Sequence, residues 1–408
     1  MSIPKVAVIC DYREENWPSM DLVAGQLLDH LHNDYSHLVT ATRICPTLRR
    51  RLTTLRTEVT GQKSKVGEQR SEGREPEVIE GENGPRFNAD RFLNRFWDYP
   101  RYVRRIRGEF DLFHVVDHSY GQLLHELPPE RTIITCHDLD TFQCLLEPEH
   151  DRRSFLFRKM MSRTLSGFQK AALVTCDSAA TRNEILRHGL VEPERAVVVP
   201  NGVHPSCSPQ ADASADREAA RLLGEPTASA IEILHVGSTI PRKRIDILLE
   251  IFSATRKEFP AARLIRVGGP FTHEQARLVE RFDLARSIIV LPHLERNVLA
   301  AVYRRATVLL QPSEREGFGL PVVEALACGT PVIASDLPVL REVGGDAASY
   351  CPAENVVIWR DETCRLLSER LADPENWSAR IERGFTQARR FSWAEYARKM
   401  IALYLELL

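Results

Sequence analysis

The chain has 408 residues, of which 43% are hydrophobic and 27% are charged, and its formal net charge at pH 7 is −2. This length is too great for one ordinary hydrophobic core, and the near-neutral balance argues against the broad basic surface that nucleic-acid binding needs. No apolar run reaches the roughly 20 residues of a membrane span. The nine cysteines are scattered singly, so we expect a reduced, cytoplasmic protein of two domains.

Short runs rich in Val and Ile recur along the first half of the chain, with helical stretches between most of them. Runs that are apolar throughout are typical of strands buried on both faces of a parallel sheet. The alternation of strand and helix predicts a doubly wound, Rossmann-like domain over residues 1–205. Its predicted strands are at 6–12, 37–44, 111–117, 132–138, 172–178 and 196–202.

The polar, aromatic-poor stretch 57–86 interrupts this pattern and predicts a mobile insertion in the first domain. A second set of apolar runs predicts another Rossmann-like domain over residues 228–390. These runs are at 231–238, 263–269, 288–294, 307–313 and 331–336. The segment 391–408 carries apolar residues at helical spacing, which predicts an amphipathic helix that packs on an apolar surface.

The stretch 313–336, SEREGFGLPVVEALACGTPVIASD, combines a strand end, a glycine-containing turn and a helix start. In an open parallel sheet, ligands bind at the carboxyl ends of strands, and a helix N-terminus offers free N–H groups to a phosphate. Gly317 and Gly319 allow a ligand to approach the backbone closely. Glu316 and Glu324 would repel a phosphate but accept hydrogen bonds from hydroxyl groups on either side of it. A diphosphate with hydroxyls on both sides is a nucleotide sugar.

A pair of cations follows the first strand of the second domain. Arg242 and Lys243 lie in the segment HVGSTIPRKRIDILLEIF, in the loop between a strand and a helix. Two cations at the carboxyl end of a strand would neutralise the charge that grows on a diphosphate leaving group.

Polar residues also follow two buried strands of the first domain. His137 and Asp117 are predicted to face the cleft between the domains. Asp138 and Asp140 form the Asp-x-Asp pattern that binds metal in another transferase fold, but no other ligand candidates cluster nearby, so we expect no metal site. The loop 11–19 lacks the Gly-x-Gly-x-x-G pattern, which argues against a dinucleotide-dependent dehydrogenase.

Four segments together resemble glycosyltransferase family 4, whose members are retaining enzymes of the GT-B fold. They are EGFGLPVVEALACGTPVIAS, HVGSTIPRKRIDILLEIF, TIITCHDLD and VVVPNGVHPS, in the order of the family. The resemblance covers nearly the whole chain outside 57–86. It implies two doubly wound α/β domains that face each other across a cleft, with the helix at 391–408 crossing back onto the first domain.

The resemblance also implies roles for individual residues. Glu316 would contact the donor sugar, Glu324 would bind the ribose hydroxyls, and His137 would face the donor sugar and the reaction centre. Arg242 and Lys243 would bind the diphosphate. The other predicted donor-binding residues are Gly317, Phe318, Gly319, Leu320, Ser238, His293 and Leu294.

Two positions depart from the pattern of the family. Many members carry Gly-Gly after the first strand, near the phosphates, where this chain has CDYREENWPSMD. Many also have Arg directly after the glycine that ends the first strand of the second domain. Here that residue is Ser238, and we expect the nearby Arg242 to supply the charge.

Together these features predict a retaining glycosyltransferase that moves a sugar from a nucleotide-diphosphate sugar to an unidentified acceptor (a glycan, a lipid-linked molecule or a small molecule) without metal or cofactor. Two alternatives stay open: a non-catalytic nucleotide-sugar-binding protein, and an epimerase or phosphorylase of the same fold. Basic stretches at 49–56, 101–107 and 152–159 also predict peripheral contact with an anionic membrane surface, unless the acidic neighbours at 140–151 balance their charge.

Overall fold

The computed structural model describes residues 3–15, 17–53, 85–149, 151, 153–225, 227 and 230–408. The insertion predicted at 57–86 lies outside the described residues, except that its last two residues belong to the helix that begins at Pro85.

The first domain is built on a sheet of six parallel strands in the spatial order β2-β1-β3-β4-β5-β6. Each strand overlaps the apolar run that predicted it, and β3 and β4 are buried along their whole length. The strands are β1 Lys5–Ile9, β2 Thr40–Ile44, β3 Leu112–Val115, β4 Thr132–Cys136, β5 Leu173–Cys176 and β6 Ala196–Val198.

The second domain contains a six-stranded parallel sheet in the order β12-β11-β10-β7-β8-β9. Five of its strands were predicted, but β12 was missed because its first three residues are only half-buried and form no continuous apolar run. The strands are β7 Glu232–Val236, β8 Arg263–Val267, β9 Ile288–Leu291, β10 Val308–Gln311, β11 Val332–Ser335 and β12 Ala348–Cys351. The two sheets confirm the predicted fold class.

Helices cover both faces of the two sheets, as continuous parallel sheets require. Those of the first domain are α1 Pro18–Asn33, α2 Pro85–Leu93, α3 Tyr99–Ile106, α4 Gln143–Leu146, α5 Phe155–Phe168 and α6 Ala179–Arg187. Those that follow are α7 Ala213–Leu223, α8 Ile245–Thr255, α9 His273–Arg281, α10 Arg296–Arg305, α11 Leu320–Ala327, α12 Pro338–Gly344, α13 Val356–Ala372, α14 Pro374–Ala388 and α15 Trp393–Leu407.

The strand orders place a switch point in each sheet. In the second sheet the chain runs outward from β7 through β8 to β9, and then returns to pair β10 with the other edge of β7. In the first sheet β2 pairs with one edge of β1, and β3 pairs with the other. Connections leave in opposite directions at such points, so a crevice opens at the carboxyl ends of the two strands.

The last helix, α15, packs on the first domain although it follows the second along the chain. Trp393, Tyr396, Met400 and Tyr404 are buried in the apolar cluster that also contains residues of β1 and α1. The Tyr404 hydroxyl forms a 2.7 Å hydrogen bond with Nδ1 of His114 on β3. Burying a large apolar side chain contributes about 1.5–3 kcal/mol, so α15 holds the end of the second domain firmly to the first.

Candidate active site

The loop between β10 and α11 is shaped by its two glycines. Gly319 has φ of +94° and directly precedes α11, so the turn uses the left-handed region that favours glycine. A Cβ atom at Gly317 would lie 2.2 Å from the carbonyl oxygen of His137. Any side chain at Gly317 would therefore force the two domains apart.

The Glu316 carboxylate lies at the centre of a buried polar cluster. Nζ of Lys243 lies 2.7 Å from Oε1 and 2.9 Å from Oε2. Gln311 and Ser313 also donate to Oε1, at 2.6 Å and 2.7 Å. Burial by itself would raise the pKa of Glu316, but Lys243, Arg242 and these hydrogen bonds outweigh burial and lower the pKa to about 2. Glu316 is therefore a fixed negative charge at neutral pH.

Arg242 connects this cluster to the first domain. Its guanidinium lies 3.7 Å from Oε2 of Glu316 and donates to the carbonyl of Arg315 at 3.0 Å. Across the cleft it forms ion pairs with Asp138 at 3.5 Å and Asp140 at 2.9 Å. The predicted cations and Glu316 thus come together at the switch point between β7 and β10, with carboxylates of the first domain beside them.

Asp138 and Asp140, the Asp-x-Asp pattern, lie against guanidinium groups. Besides Arg242, Asp140 pairs with Arg315 at 3.3 Å. Within the described ranges, no group of three or more His, Cys, Asp or Glu side chains is placed to hold a metal ion. In this structure the two aspartates are the anionic partners of Arg242 and Arg315.

The His137 side chain points into the first domain. Nε2 lies 2.8 Å from the carbonyl oxygen of Val116, and Nδ1 lies 3.1 Å from Oδ2 of Asp177. Burial would lower the pKa of His137, but Asp177 and Asp117 outweigh burial and raise it to about 9. In this structure the backbone of His137, rather than its ring, contacts the glycine loop.

The raised pKa of His137 makes folding depend on pH. A group whose pKa is higher in the folded than in the unfolded protein stabilises the fold fully below its unfolded value, about 6.5, and this stabilisation is lost as pH rises through about 9. We expect the wild type to lose about 3 kcal/mol more than His137→Gln between pH 6 and pH 9.5. Parallel denaturant titrations of the two proteins would measure this difference, and equal losses would contradict the assignment.

Glu324, on α11, is 2% exposed and its carboxylate has two partners. Oε1 lies 3.3 Å from Nη1 of Arg296, and the Tyr303 hydroxyl donates to Oε2 at 3.0 Å. Arg296 also donates to the carbonyl of Pro18 in the first domain at 3.1 Å. Burial raises the pKa of Glu324, although Arg296 and Tyr303 oppose the shift. Sequence reasoning missed both partners, because nothing distinguishes Arg296 from a surface residue at the start of a helix.

The remaining predicted donor-binding residues differ in their exposure. Phe318 is 4% exposed and packs edge-on against Phe391, so only its backbone can face a ligand. Leu320 is half-buried, Leu294 is half-buried on the core of the second domain, and His293 is exposed. Ser238 follows Gly237, whose carbonyl lies close against Gly268.

Several contacts that join the domains around this site carried no sequence signal. The carbonyl of Gly317 accepts hydrogen bonds from Ser178 at 3.1 Å and Thr181 at 3.3 Å. The Glu342 carboxylate accepts from the first backbone N–H groups of α6, on Ala179 and Ala180, at 2.8 Å and 3.2 Å. Beside them lies a cavity of about 410 Å³ between the domains. Its lining includes Asp138, Asp140, Arg242, Glu316 and Thr181.

Two sequence families match the chain in succession. Residues 29–206 match "Glycosyltransferase Family 4", and residues 225–399 match "Glycosyl transferases group 1". The chain belongs to glycosyltransferase family 4. It therefore combines the two-sheet GT-B architecture with the family's sequence pattern in both domains.

Curated relatives of this family 4 chain include enzymes with different named substrates. O-antigen chain mannosyltransferase B of Escherichia coli is 29% identical over 67% of this chain and 70% of its own length. D-inositol 3-phosphate glycosyltransferase of Segniliparus rotundus is 32% identical over 52% of this chain and 47% of its own length. The chain thus spans about half the length of the second relative.

A solved structure shares the fold over almost the whole chain. Anabaena HepE, in a crystal structure with UDP and glucose, has a TM-score of 0.69 at 17% identity and covers 99% of this chain and 100% of its own.

Proposed function

We propose that this family 4 glycosyltransferase moves a sugar, with retention of configuration, from a nucleotide-diphosphate sugar to a hydroxyl-bearing acceptor. The observation that carries the proposal is the buried cluster of Glu316, Lys243 and Arg242 at the switch point between β7 and β10. It places two cations beside a carboxylate where an open α/β sheet binds its ligand. HepE was crystallised with UDP and glucose, which supports the same class of donor.

In the proposed complex, the diphosphate takes the place of carboxylates next to Arg242 and Lys243. Both cations lie on the turn after β7, where they would stabilise the charge that develops on the leaving diphosphate. Glu316 would then bind a donor-sugar hydroxyl, Glu324 the ribose, and the backbone N–H groups at the start of α11 the phosphate oxygens. His137 would border the reaction centre, and the segment 292–294 the base.

The electrostatics of Glu316 bear on the proposed stereochemistry. A carboxylate with a pKa of about 2 is a weak base, and its oxygens already accept from Lys243, Gln311 and Ser313. It is therefore poorly suited to remove a proton from the acceptor. Attack on the same face as the departing diphosphate, with a phosphate oxygen taking the proton, fits this arrangement and gives retention. NMR determination of the anomeric configuration of the product would test it.

The proposed function is tested by incubating the protein with a panel of nucleotide sugars in the presence and absence of acceptors. We expect acceptor-dependent release of nucleoside diphosphate that persists in EDTA, because Arg242 and Lys243 supply the positive charge. Loss of activity in EDTA and recovery with Mn²⁺ would contradict metal independence. Nucleotide binding without turnover would identify a non-catalytic binding protein, and dependence on inorganic phosphate a phosphorylase. Acceptor-independent isomerisation of the sugar would identify an epimerase.

We also propose a reversible contact between the first domain and an anionic, cytoplasmic membrane surface. Trp97, Phe155 and Leu156 are 58%, 84% and 65% exposed, and the Arg101 guanidinium stacks over the Trp97 ring at 3.2 Å. Parts of two predicted basic stretches, residues 54–56 and 152, lie outside the described residues. No helix within the described ranges is long and apolar enough to cross a bilayer.

If the first domain binds anionic membranes, the protein should sediment with phosphatidylserine-containing vesicles at low salt. Binding should be lost at 1 M salt, where the Debye length falls to about 3 Å, and pure phosphatidylcholine vesicles provide the neutral control. Protein that stays in the supernatant with anionic vesicles at low salt would rule the contact out.

A further inference from the structure

A pair of carboxyl groups occupies the switch point of the first sheet. β1 and β3 are paired in register up to Ile9 and Val115. Two residues beyond each of these positions are Asp11 and Asp117, which therefore lie side by side at the carboxyl edge. Asp11 belongs to the segment CDYREENWPSMD, which follows β1 along the chain.

Asp11 is buried but its carboxyl oxygens lack hydrogen-bond donors. The residue is 6% exposed, and neither oxygen receives a hydrogen bond from an N–H or O–H group of the described residues. Buried polar atoms nearly always have a partner, and leaving one without a partner is destabilising. Apart from the adjacent Asp117 carboxyl, the Asp11 oxygens have no partner among the described residues, which points to a ligand that supplies the missing hydrogen bonds.

The two carboxyl groups have different charges. Burial, and next the charge of Asp117, raise the pKa of Asp11 well above its ordinary value. Asp117 accepts from the backbone N–H and hydroxyl of Ser119 at 2.7 Å and 2.5 Å. Burial would raise its pKa too, but His118 and Arg95 outweigh burial and lower the pKa to about 2. These opposite shifts favour a proton on Asp11 and a negative charge on Asp117.

This edge of the sheet faces the donor site. His118, next to Asp117, has Nε2 3.7 Å from Oδ1 of Asp138, and Asp138 in turn pairs with Arg242. The segment after Asp11 also reaches the second domain, because the carbonyl of Pro18 accepts from Arg296. A molecule bound at Asp11 would consequently lie between the first domain and the donor.

We propose that Asp11 and Asp117 bind a hydroxyl group of the acceptor and select a neutral, polyhydroxylated acceptor over one bearing a phosphate at this position. A hydroxyl both donates and accepts, so it can bridge the two carboxyl groups whichever of them holds the proton, whereas a phosphate dianion has no proton to donate and is repelled by the negative charge of Asp117. The nearby cation, Arg95, is already compensated by carboxylates, because it lies 3.7 Å from Glu15 and its charge also stabilises the carboxylate of Asp117. This inference rests on the proposed function and names its acceptor class.

The test separates the acceptor from the donor. The assay uses a nucleotide sugar whose sugar the protein transfers slowly to water when no acceptor is present. Sugar transfer is then measured to methyl glycosides of mannose, glucose and galactose, and to D-inositol 3-phosphate. We expect transfer to a neutral glycoside and a KM for it that rises about tenfold in Asp11→Ala. Hydrolysis of the donor in the absence of acceptor should stay within twofold. The acceptor KM of Asp11→Asn, whose amide also donates and accepts, should lie between those of the wild type and Asp11→Ala. Asp11→Asn serves as the conservative variant if Asp11→Ala folds poorly.

A matched control is available on the same pair of strands. Asp111 lies at the amino edge of β3, where it accepts from the backbone N–H of Lys5 at 2.8 Å, and Asp111→Ala should leave the acceptor KM unchanged. Preference for D-inositol 3-phosphate, or equal losses of hydrolysis and transfer in Asp11→Ala, would overturn the proposal. So would the absence of saturation-transfer NMR signals from all the neutral glycosides. Failure of the wild type to turn over any nucleotide sugar would instead count against the proposed function, and the NMR measurement would still decide the acceptor proposal.

Discussion

Replacing Lys243 with alanine should lower the kcat of sugar transfer by about 10²–10³-fold, the effect of removing one electrostatic contact to a transition state. Lys243 is nearly buried and touches both oxygens of Glu316, so no water-exposed cation can readily replace it. The KM for the donor should change less than kcat, because the charge on the leaving diphosphate is greater in the transition state than in the bound donor. Steady-state kinetics at saturating donor would measure both constants.

A matched variant controls for the loss of a lysine. Lys257 is exposed just after α8, and Lys257→Ala should retain wild-type kcat. Circular dichroism would show whether Lys243→Ala remains folded. Near-normal turnover by folded Lys243→Ala at saturating donor would refute the proposed role.

The second large effect distinguishes the two glutamates. We expect Glu324→Gln to weaken binding of the bare nucleoside diphosphate by about 10–100-fold, since a lost charge-assisted hydrogen bond is worth about 1.5–3 kcal/mol. Glu316→Gln should preserve or tighten that binding, because it removes the carboxylate that competes with phosphate for Lys243. The same variant should strongly reduce sugar transfer. Calorimetry with UDP and GDP, alongside transfer assays, would measure these effects.

The exposed Glu280 on α9 provides the matched control, and Glu280→Gln should behave as the wild type. Equal losses of affinity for the bare nucleotide in Glu316→Gln and Glu324→Gln would contradict the assignment of sugar to one and ribose to the other.

One sequence pattern predicts both the two sheets and the position of the candidate site. Strands buried on both faces are apolar throughout, and polar residues that follow them must gather at the carboxyl edge of the sheet. This pattern alone places Glu316, Arg242 and Lys243 in one crevice. The missed strand, β12, contains Ser349 and Tyr350, which are half-buried and so give no such pattern.

The partners of these residues could not be predicted, because they depend on how one domain is oriented against the other. Asp138 belongs to a local pattern that binds metal elsewhere, yet it pairs with a guanidinium more than a hundred residues away in the chain. Ser178 and Thr181 look like ordinary residues at the start of a helix, but they bind the carbonyl of Gly317. No local periodicity encodes such contacts.

In the proposed donor complex, the ion pairs between Arg242 and the first domain would make donor binding an exchange of anions. Asp138, Asp140 and Glu316 already neutralise the cations, so an incoming diphosphate displaces carboxylates of the protein rather than dissolved counterions. Nucleotide affinity should consequently depend only weakly on ionic strength. Each carboxylate released on the first domain would also weaken its contact with the second, so the proposed donor binding would be coupled to separation of the domains.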